Sequence, residues 1–158
     1  NNDRRGSLRE TFNNKILKKK FVFEYCTTSK KNVLRGFHFQ TKFKQAKYVN
    51  VVKGKILDVV IDLRKNSKTF GKTFKIILSK KNALGLYIPA GFGHAYYSYN
   101  KENIIYYKLN NYYAPKYENG IIFNDPIFKI KWPKKIIVSE KDRKLLSFKN
   151  FIQKFKAI

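Results

Sequence analysis

The feature that most constrains the fold of this chain is a series of short alternating segments, each ended by Gly, Pro or Asn. Alternation of apolar and polar residues over about four to eight positions is typical of strands, and the interrupting residues favour turns. Strands are predicted at 21–28, 33–40, 46–52, 55–63, 69–79, 85–89, 94–99, 104–110 and 120–123. A V-K-G-K turn at Gly54 predicts a hairpin between two of them. This pattern favours an all-β fold, either a barrel or a double-sheet jelly roll.

Two terminal segments do not alternate. The chain opens on D-R-R-G, a predicted turn at Asp3, and residues 8–17 are patterned loosely enough for a short helix or an irregular segment. Residues 139–155 are predicted to form one closing helix, because apolar residues recur there at spacings of three and four. The stripe consists of Leu145, Phe148, Ile152 and Phe155.

Length and composition predict one globular domain over residues 1–158. The chain is 43% hydrophobic and 16% aromatic, and neither a repeat nor a break in composition marks a second domain. No stretch approaches the roughly 20 apolar residues of a membrane span, and the N-terminal residues do not resemble a signal peptide. The single cysteine, Cys26, excludes an internal disulfide and a cysteine-rich metal site. Together these features predict a cytoplasmic protein.

The formal net charge of +25 points to an anionic partner. Nucleic acid, an anionic membrane surface and an acidic small molecule are the classes to consider. The lysines occur in short groups throughout the chain, with no basic tail, zinc-finger spacing or RNA-binding signature. A lysine-rich solvated surface is therefore favoured over direct binding of nucleic acid or membrane.

The stretch N-V-L-R-G-F-H-F-Q carries His38, one of only two histidines. On a strand, His38 and Gln40 share one face and Phe37 and Phe39 the other. A histidine and an amide backed by two phenylalanines suit a polar pocket inside a β-sheet. A solvated edge strand with a chance histidine is the alternative.

Proton transfer is the chemistry that the sequence supports best. No G-x-S-x-G nucleophile elbow occurs, and two histidines far apart in sequence are a poor supply of metal ligands. A histidine oriented by a carboxylate can remove a proton near neutral pH, a tyrosine can return one, and a lysine or arginine can stabilise an oxyanion. Spacing alone does not select which residues fill these roles.

A series of motifs in order identifies a resemblance to a known family. They are V-L-R-G-F-H-F-Q, Q-A-K-Y-V-N-V-V-K-G-K-I-L-D-V-V-I-D-L-R, S-K-T-F-G-K, Y-I-P-A-G-F-G-H, Y-Y-A-P-K-Y-E-N-G-I, N-D-P, K-W-P and S-E-K-D-R. From D-R-R-G at Asp3 to Asp142, the chain resembles the dTDP-4-dehydrorhamnose 3,5-epimerases. The resemblance implies a cupin-like jelly roll, a homodimer that uses no metal or cofactor, and epimerisation of a nucleotide-linked 4-keto-6-deoxyhexose at C3 and C5.

The resemblance also implies catalytic roles for individual residues. His38 is expected to be the general base, Asp142 its carboxylate partner and Tyr107 the general acid. Lys47 is expected to stabilise the enolate oxygen, and His94 and Asp58 to form a second polar pair in the pocket. Taken one at a time, these residues would have ordinary structural explanations, such as a core aromatic or a helix-capping aspartate.

The nucleotide-binding residues follow from the same resemblance. Arg5 and Glu10 are expected at a binding edge, Arg35 and Lys141 near the diphosphate, Tyr113 stacked on the base, and Glu118 close by. Arginine can bind a diphosphate bidentately, and lysine supplies a point charge.

The sequence departs from the family pattern at two places. The first strand reads F-V-F-E-Y where the family has F-V-Q-[DE]-N, so Phe23 and Tyr25 replace two amides that help to bind the nucleotide. The chain also starts almost at D-R-R-G, so we expect the leading strand of the family to be missing from the sequence given.

Several alternatives stay open at this stage. An epimerase of C3 or C5 alone, or one acting on another nucleotide sugar such as a GDP-linked 4-keto heptose, would fit the same motifs. A non-enzymatic jelly-roll module that binds polyanions would fit the charge. Arg35 and His38 also have opposite parity on a regular strand, and a bulge at Gly36 would bring them to one face.

Overall fold

The computed structural model describes residues 2–158, and their regular structure is mostly β. The strands are β1 (Asn2–Asp3), β2 (Gly6–Ser7), β3 (Phe23–Lys30), β4 (Leu34–Gln40), β5 (Lys47–Lys53), β6 (Lys55–Asp62), β7 (Thr73–Ser79), β8 (Gly85–Ile88), β9 (Phe92–Ser98), β10 (Glu102–Leu109) and β11 (Glu118–Gly120). The helices are α1 (Asn14–Leu17), α2 (Glu140–Arg143) and α3 (Phe148–Phe155), with 3-10 turns at Pro115–Tyr117 and Pro126–Phe128.

Two antiparallel sheets form a double-sheet jelly roll, which confirms the predicted all-β class. The four-stranded sheet has the order β3-β10-β5-β8 and the five-stranded sheet the order β11-β4-β9-β6-β7. The remaining pair, β1 and β2, forms a small ribbon around the predicted D-R-R-G turn. Residues 8–17 were predicted to be either a short helix or an irregular segment. Most of them are irregular, and only α1 is helical.

The side chains divide between two apolar layers. Between the sheets, Val49 and Val51 of β5 pack with Ile56 of β6 and Leu78 of β7, all with exposed fractions of 0%. On the other face of the five-stranded sheet, Phe37 and Phe39 pack with residues of α3. The prediction that Phe37 and Phe39 face away from His38 is therefore confirmed, and His38 points to the side of the four-stranded sheet.

The predicted hairpin at Gly54 is wrong. A turn does occur there, with Gly54 at a φ of +86°, but β5 pairs with β10 and β8, whereas β6 pairs with β9 and β7. The chain thus crosses from one sheet to the other at Gly54. Asn103 fills the corner, because its Oδ1 accepts the backbone N–H of Lys55 at 3.0 Å.

The single closing helix predicted over 139–155 is also wrong. The segment forms two short helices, α2 and α3, separated by residues 144–147. At the break, Leu146 forms an isolated parallel bridge with Ile121, and its carbonyl accepts the N–H of Ile122 at 2.8 Å. The buried stripe shifts accordingly, with Phe151 fully buried and Ile152 39% exposed.

A bulge in β4 resolves the parity of Arg35 and His38. Arg35 pairs with Tyr96 and His38 with His94, so β4 has one more residue than β9 between the two pairs. Tyr96 belongs to the layer between the sheets. Both Arg35 and His38 therefore start from the same side of the sheet, as the prediction of a bulge at Gly36 required.

Candidate active site

His38 and Asp142 form a hydrogen-bonded pair at one end of the space between the sheets. His38 Nε2 lies 2.8 Å from Asp142 Oδ1, and the N–H of Gly36 donates to the other carboxylate oxygen at 3.0 Å. The His38 side chain is 29% exposed and that of Asp142 only 5%. An ionised carboxylate accepts the Nε2 proton, so Nδ1 of His38 carries the lone pair that can act as a base.

Asp142 is placed by the first turn of α2. Ser139 is the N-cap residue, and its Oγ accepts the N–H of Asp142 at 3.1 Å. Burial raises the pKa of the Asp142 carboxyl, but the hydrogen bond and charge of His38 and the N–H of Gly36 outweigh it, so the pKa lies below its ordinary value. Asp142 is therefore ionised near neutral pH and suited to hold the tautomer of His38.

A second histidine–carboxylate pair lies deeper between the sheets. His94 Nε2 is 2.8 Å from Asp58 Oδ2, and both side chains are buried. The other oxygen, Asp58 Oδ1, is buried without a hydrogen-bond partner among the described residues. An acceptor that is buried without a partner costs free energy, which sets this oxygen apart from the paired Asp58 Oδ2.

Lys47 brings a buried positive charge to the same space. Burial lowers the pKa of the Lys47 ammonium to about 8, while the charges of Asp58 and Glu118 raise it. Among residues 2–158, no carboxylate lies within ion-pair distance of its Nζ. An ammonium that is buried but not directly paired can attract an oxyanion strongly.

Tyr107 of β10 faces these groups from the four-stranded sheet. Its ring centroid is 6.1 Å from that of His94, and its side chain is buried. Burial raises the pKa of the Tyr107 phenol well above its ordinary value, and nearby Tyr96, Tyr25 and Asp58 raise it further. The phenol is therefore protonated near neutral pH, so in the first instance Tyr107 can act as an acid and not as a base.

Glu118, Tyr113 and Lys141 form a cluster beside His38. The Tyr113 hydroxyl donates to Glu118 Oε2 at 2.8 Å, and the Lys141 ammonium donates to the same oxygen. Burial raises the pKa of Glu118, but these two hydrogen bonds bring it below its ordinary value. His38, Glu118 and Lys141 line a cleft of about 200 Å³.

Arg35 lies next to three hydroxyl groups that are buried or partly buried. Its Nε donates to Ser29 Oγ at 3.2 Å. The Tyr96 hydroxyl is hydrogen-bonded both to Ser29 Oγ, at 2.9 Å, and to Thr27 Oγ1, at 3.0 Å. The guanidinium of Arg35 is thereby anchored on one side. Within residues 2–158 its terminal nitrogens have no hydrogen-bond partner, so they can bind an anion.

Arg5 and Glu10 do not join the other predicted residues. Arg5 is paired with Asp3 at 2.6 Å, and Glu10 accepts a hydrogen bond from Asn13 at 3.0 Å. Glu10 lines a wide cleft of about 1390 Å³, which contains neither histidine. The size of this cleft therefore does not identify it as the active site, because the paired histidines and the buried lysine lie elsewhere.

Residues 2–158 hold no group of three or more His, Cys, Asp or Glu side chains arranged to bind a metal ion.

Comparison with known proteins decides the family. Residues 1–150 match the family described as dTDP-4-dehydrorhamnose 3,5-epimerase. The chain belongs to this epimerase family. It is 42% identical over 150 residues to the dTDP-4-dehydrorhamnose 3,5-epimerase of Methanothermobacter thermautotrophicus, covering 89% of this chain and 81% of that protein.

Two solved structures of this epimerase family are closely similar in fold. The enzyme from Legionella pneumophila, in complex with dTDP-4-keto-L-rhamnose, has a TM-score of 0.91 and 34% identity, covering 97% of this chain and 86% of its own. The enzyme from Bacillus anthracis, with TDP and pyrophosphate bound, has a TM-score of 0.88 and 36% identity, covering 92% and 88%. In residues 2–158 of the present family member, no helix is both long and apolar enough to span a membrane.

Two parts of the site were not predicted from the sequence. The first is the set of three hydroxyl groups on Thr27, Ser29 and Tyr96, although alternation along β3 places Thr27 and Ser29 on the face of Phe23 and Tyr25. Gln40 was placed on the face of His38, but its function was not foreseen. Its amide donates to the carbonyl of Phe43 at 2.8 Å and accepts the N–H of Ala114 at 2.8 Å, which holds the loop that carries Tyr113.

Proposed function

We propose that this protein epimerises dTDP-4-dehydro-6-deoxyglucose at C3 and C5, giving dTDP-4-dehydrorhamnose through an enolate. The observation that carries this proposal is the His38–Asp142 pair, which lies at the same inter-sheet space as the protonated phenol of Tyr107. A base and an acid on opposite sheets can act on opposite faces of a sugar held between them. The carbon next to a ketone is inverted when its proton is removed from one face and returned to the other.

The first step is abstraction of a proton by His38. The C4 ketone acidifies the protons on C3 and C5, because the resulting carbanion is delocalised onto the ketone oxygen. His38 Nδ1 takes the proton, and the imidazolium that forms is stabilised by the ionised Asp142 at 2.8 Å.

Lys47 stabilises the enolate oxygen that develops on C4. Its ammonium is buried and has no direct carboxylate partner among the described residues, so a negative oxygen would gain a strong electrostatic interaction there. His94 and Asp58 line the same space and can hold hydroxyl groups of the sugar, since Asp58 Oδ1 has an unused acceptor position.

Tyr107 then returns a proton to the carbon from the opposite face. The carbon is inverted, and the electron pair of the enolate forms the new C–H bond. Solvent reprotonates the Tyr107 phenolate, and the His38 imidazolium, which is 29% exposed, releases its proton to solvent. Repetition at the second carbon completes the double epimerisation. His38 and Tyr107 make the proton transfers to and from the sugar, so we propose that no metal or cofactor takes part.

The nucleotide is bound by the groups around the cleft at His38. Arg35 and Lys141 provide positive charge for the diphosphate, and Tyr113 offers a ring for the base while its hydroxyl stays on Glu118. Because the Lys141 ammonium also contacts Glu118, substrate binding either replaces that contact with one to phosphate or lets Lys141 contact both groups.

We also propose that the chain forms one domain and works as a homodimer. Packing of α3 on the five-stranded sheet supports a single domain. Arg5 and Glu10 lie away from His38 in their own chain, and a dimer would let them reach the site of the other copy. We expect His38→Ala and Glu10→Ala each to lose activity alone, and mixing them should then restore part of it, because a mixed dimer has one complete site. No recovery on mixing would argue against shared sites.

The function is tested by proton exchange in deuterated water. The protein is incubated with dTDP-4-dehydro-6-deoxyglucose, and deuterium at C3 and C5 is measured by NMR together with the configuration of each carbon. We expect deuterium and inversion at both carbons, loss of both in His38→Ala, and loss of inversion with residual exchange in Tyr107→Phe.

Other outcomes separate the alternatives. Exchange at one carbon alone would identify a C3 or C5 epimerase, and exchange only with a GDP-linked 4-keto sugar would identify another substrate, which Phe23 and Tyr25 make worth testing. No exchange with any nucleotide sugar would overturn the enzymatic proposal. Salt-sensitive binding of DNA or heparin that His38→Ala leaves unchanged would then favour a polyanion-binding module.

A further inference from the structure

The edge strand β3 places Tyr25 directly against the candidate general acid. Tyr25 is the cross-strand partner of Tyr107, and the two rings stack with centroids 4.7 Å apart and planes 22° from parallel. Offset stacking of this kind contributes beyond simple burial. On its other side, Tyr107 meets the His94 ring edge-on at 6.1 Å. The Tyr107 ring is therefore held between β3 and the facing sheet.

Tyr25 is itself supported by further aromatic rings. Phe23, two residues earlier on the same face of β3, lies 5.8 Å from Tyr25, and Tyr112 lies 6.0 Å from Phe23. Tyr25 is 37% exposed, whereas Tyr107 is only 3% exposed. Tyr25 thus covers Tyr107 on the side of the open edge of the sheet.

We propose that Tyr25 is a positioning residue for the proposed epimerisation: its stacked ring holds the Tyr107 phenol at the angle from which it protonates the enolate. This inference rests on the proposed function. The stack itself supports the proposal, because the Tyr25 and Tyr107 rings lie 4.7 Å apart on paired strands.

The role can be separated from simple packing because an enolate has two fates. If Tyr107 protonates it, the carbon is inverted. If His38 returns a proton to the original face, the substrate is regenerated. His38 is 29% exposed, so its proton can exchange with deuterated water, and the regenerated substrate then carries deuterium without inversion. The ratio of inverted product to deuterated, uninverted substrate therefore measures how well Tyr107 is positioned.

The test compares Tyr25→Phe, which keeps the ring, with Tyr25→Leu, which removes the stack but keeps an apolar side chain. The full chain is incubated with dTDP-4-dehydro-6-deoxyglucose in deuterated water, and the ratio is read by NMR. For Tyr25→Leu we expect a fall of roughly three- to tenfold, the range that corresponds to loss of one aromatic pair. For Tyr25→Phe we expect the wild-type ratio.

Tyr106→Leu is the matched control. Tyr106 is the neighbour of Tyr107 on β10 but lies on the opposite face, where its hydroxyl contacts Glu24. We expect this variant to keep the wild-type ratio. Thermal unfolding of each variant shows how much protein is folded, and loss of folded protein alone lowers inversion and exchange together without changing their ratio.

Three results would overturn the inference. They are an unchanged ratio in Tyr25→Leu, an equal fall in Tyr25→Leu and Tyr25→Phe, and an equal fall in Tyr25→Leu and Tyr106→Leu. Failure of the proposed function would be recognised separately, because the wild-type protein would then show neither exchange nor inversion.

Discussion

His38 Nε2 lies 2.8 Å from Asp142 Oδ1, although 104 residues separate the two along the chain. The carboxylate faces a nitrogen of the ring and is itself fixed by the N–H of Gly36. Asp142→Asn keeps the shape but removes the charge that stabilises the imidazolium. We expect kcat to fall roughly 100-fold or more, with KM little changed. Steady-state kinetics on the dTDP-linked 4-keto sugar measure both, and a kcat within a few-fold of wild type would contradict the role of Asp142.

Lys47 gives the activity and the stability opposite dependences on pH. Its folded-state pKa of about 8 lies below the value of about 10.4 for an unfolded chain. Above about pH 8 the ammonium that stabilises the enolate is lost, so kcat/KM should fall. Over the window from about 8 to 10.4 the unfolded state holds a proton that the folded state has released, so the contribution of Lys47 to stability should rise with pH.

The variant Lys47→Met separates the effect of Lys47 on the pH dependence from the effects of the other lysines. It should lower kcat/KM, remove the fall above about pH 8 and remove its share of the stability change seen in urea unfolding. Lys75→Met, at an exposed position on β7, is the control and should behave as wild type. A wild-type kcat/KM that stays constant from neutral pH to about pH 10 would be incompatible with protonated Lys47 as the oxyanion-stabilising group.

Gly36 is required by the bulge that aims His38 into the site. Its φ is +107°, and a Cβ there would lie 2.3 Å from the carbonyl oxygen of His94 and 2.7 Å from Cα of Ala95. Gly36→Ala should lower the free energy of unfolding by roughly 2 kcal/mol or more and abolish activity. In Gly6→Ala, where φ is +133° but nothing lies within 4 Å, only the backbone strain remains. Equal losses of stability in the two variants would show that the contact with β9 is unimportant.

Ser139 affects catalysis through the helix that carries Asp142. Loss of its N-cap hydrogen bond in Ser139→Ala should cost about 1 kcal/mol and lower kcat several-fold, because the first turn of α2 loosens around Asp142. Ser147→Ala removes the corresponding cap of α3, where Ser147 Oγ accepts the N–H of Asn150 at 3.2 Å. It should cost similar stability without changing kcat, as measured by urea unfolding and steady-state rates. Parallel effects on kcat in the two variants would point to general loosening instead.

The motifs predicted a set of site residues, and the structure brings most of them together, while their catalytic roles stay predictions. Six of the predicted residues lie around the space between the sheets: His38, Asp142, Asp58, His94, Lys47 and Tyr107. Arg5 and Glu10 do not join them within one chain, because the motif that carries them precedes the jelly roll. The roles of Gln40 and of the hydroxyls around Tyr96 were not predicted, because Gln40 contacts Ala114, and Tyr96 contacts Thr27 and Ser29, across long distances in sequence.

The sequence by itself determined the local structure: alternation set which side chains leave each strand on the same face, and Gly, Pro and Asn set where the strands end. Only the tertiary structure decided which strands pair. It divided β5 and β6 between two sheets at Gly54 and split the closing helix where Leu146 bridges to Ile121. The physical reason is that a local pattern encodes the direction of a side chain but not its distant partner. The contact of His38 with Asp142 exists only once strand pairing and packing have closed the chain upon itself.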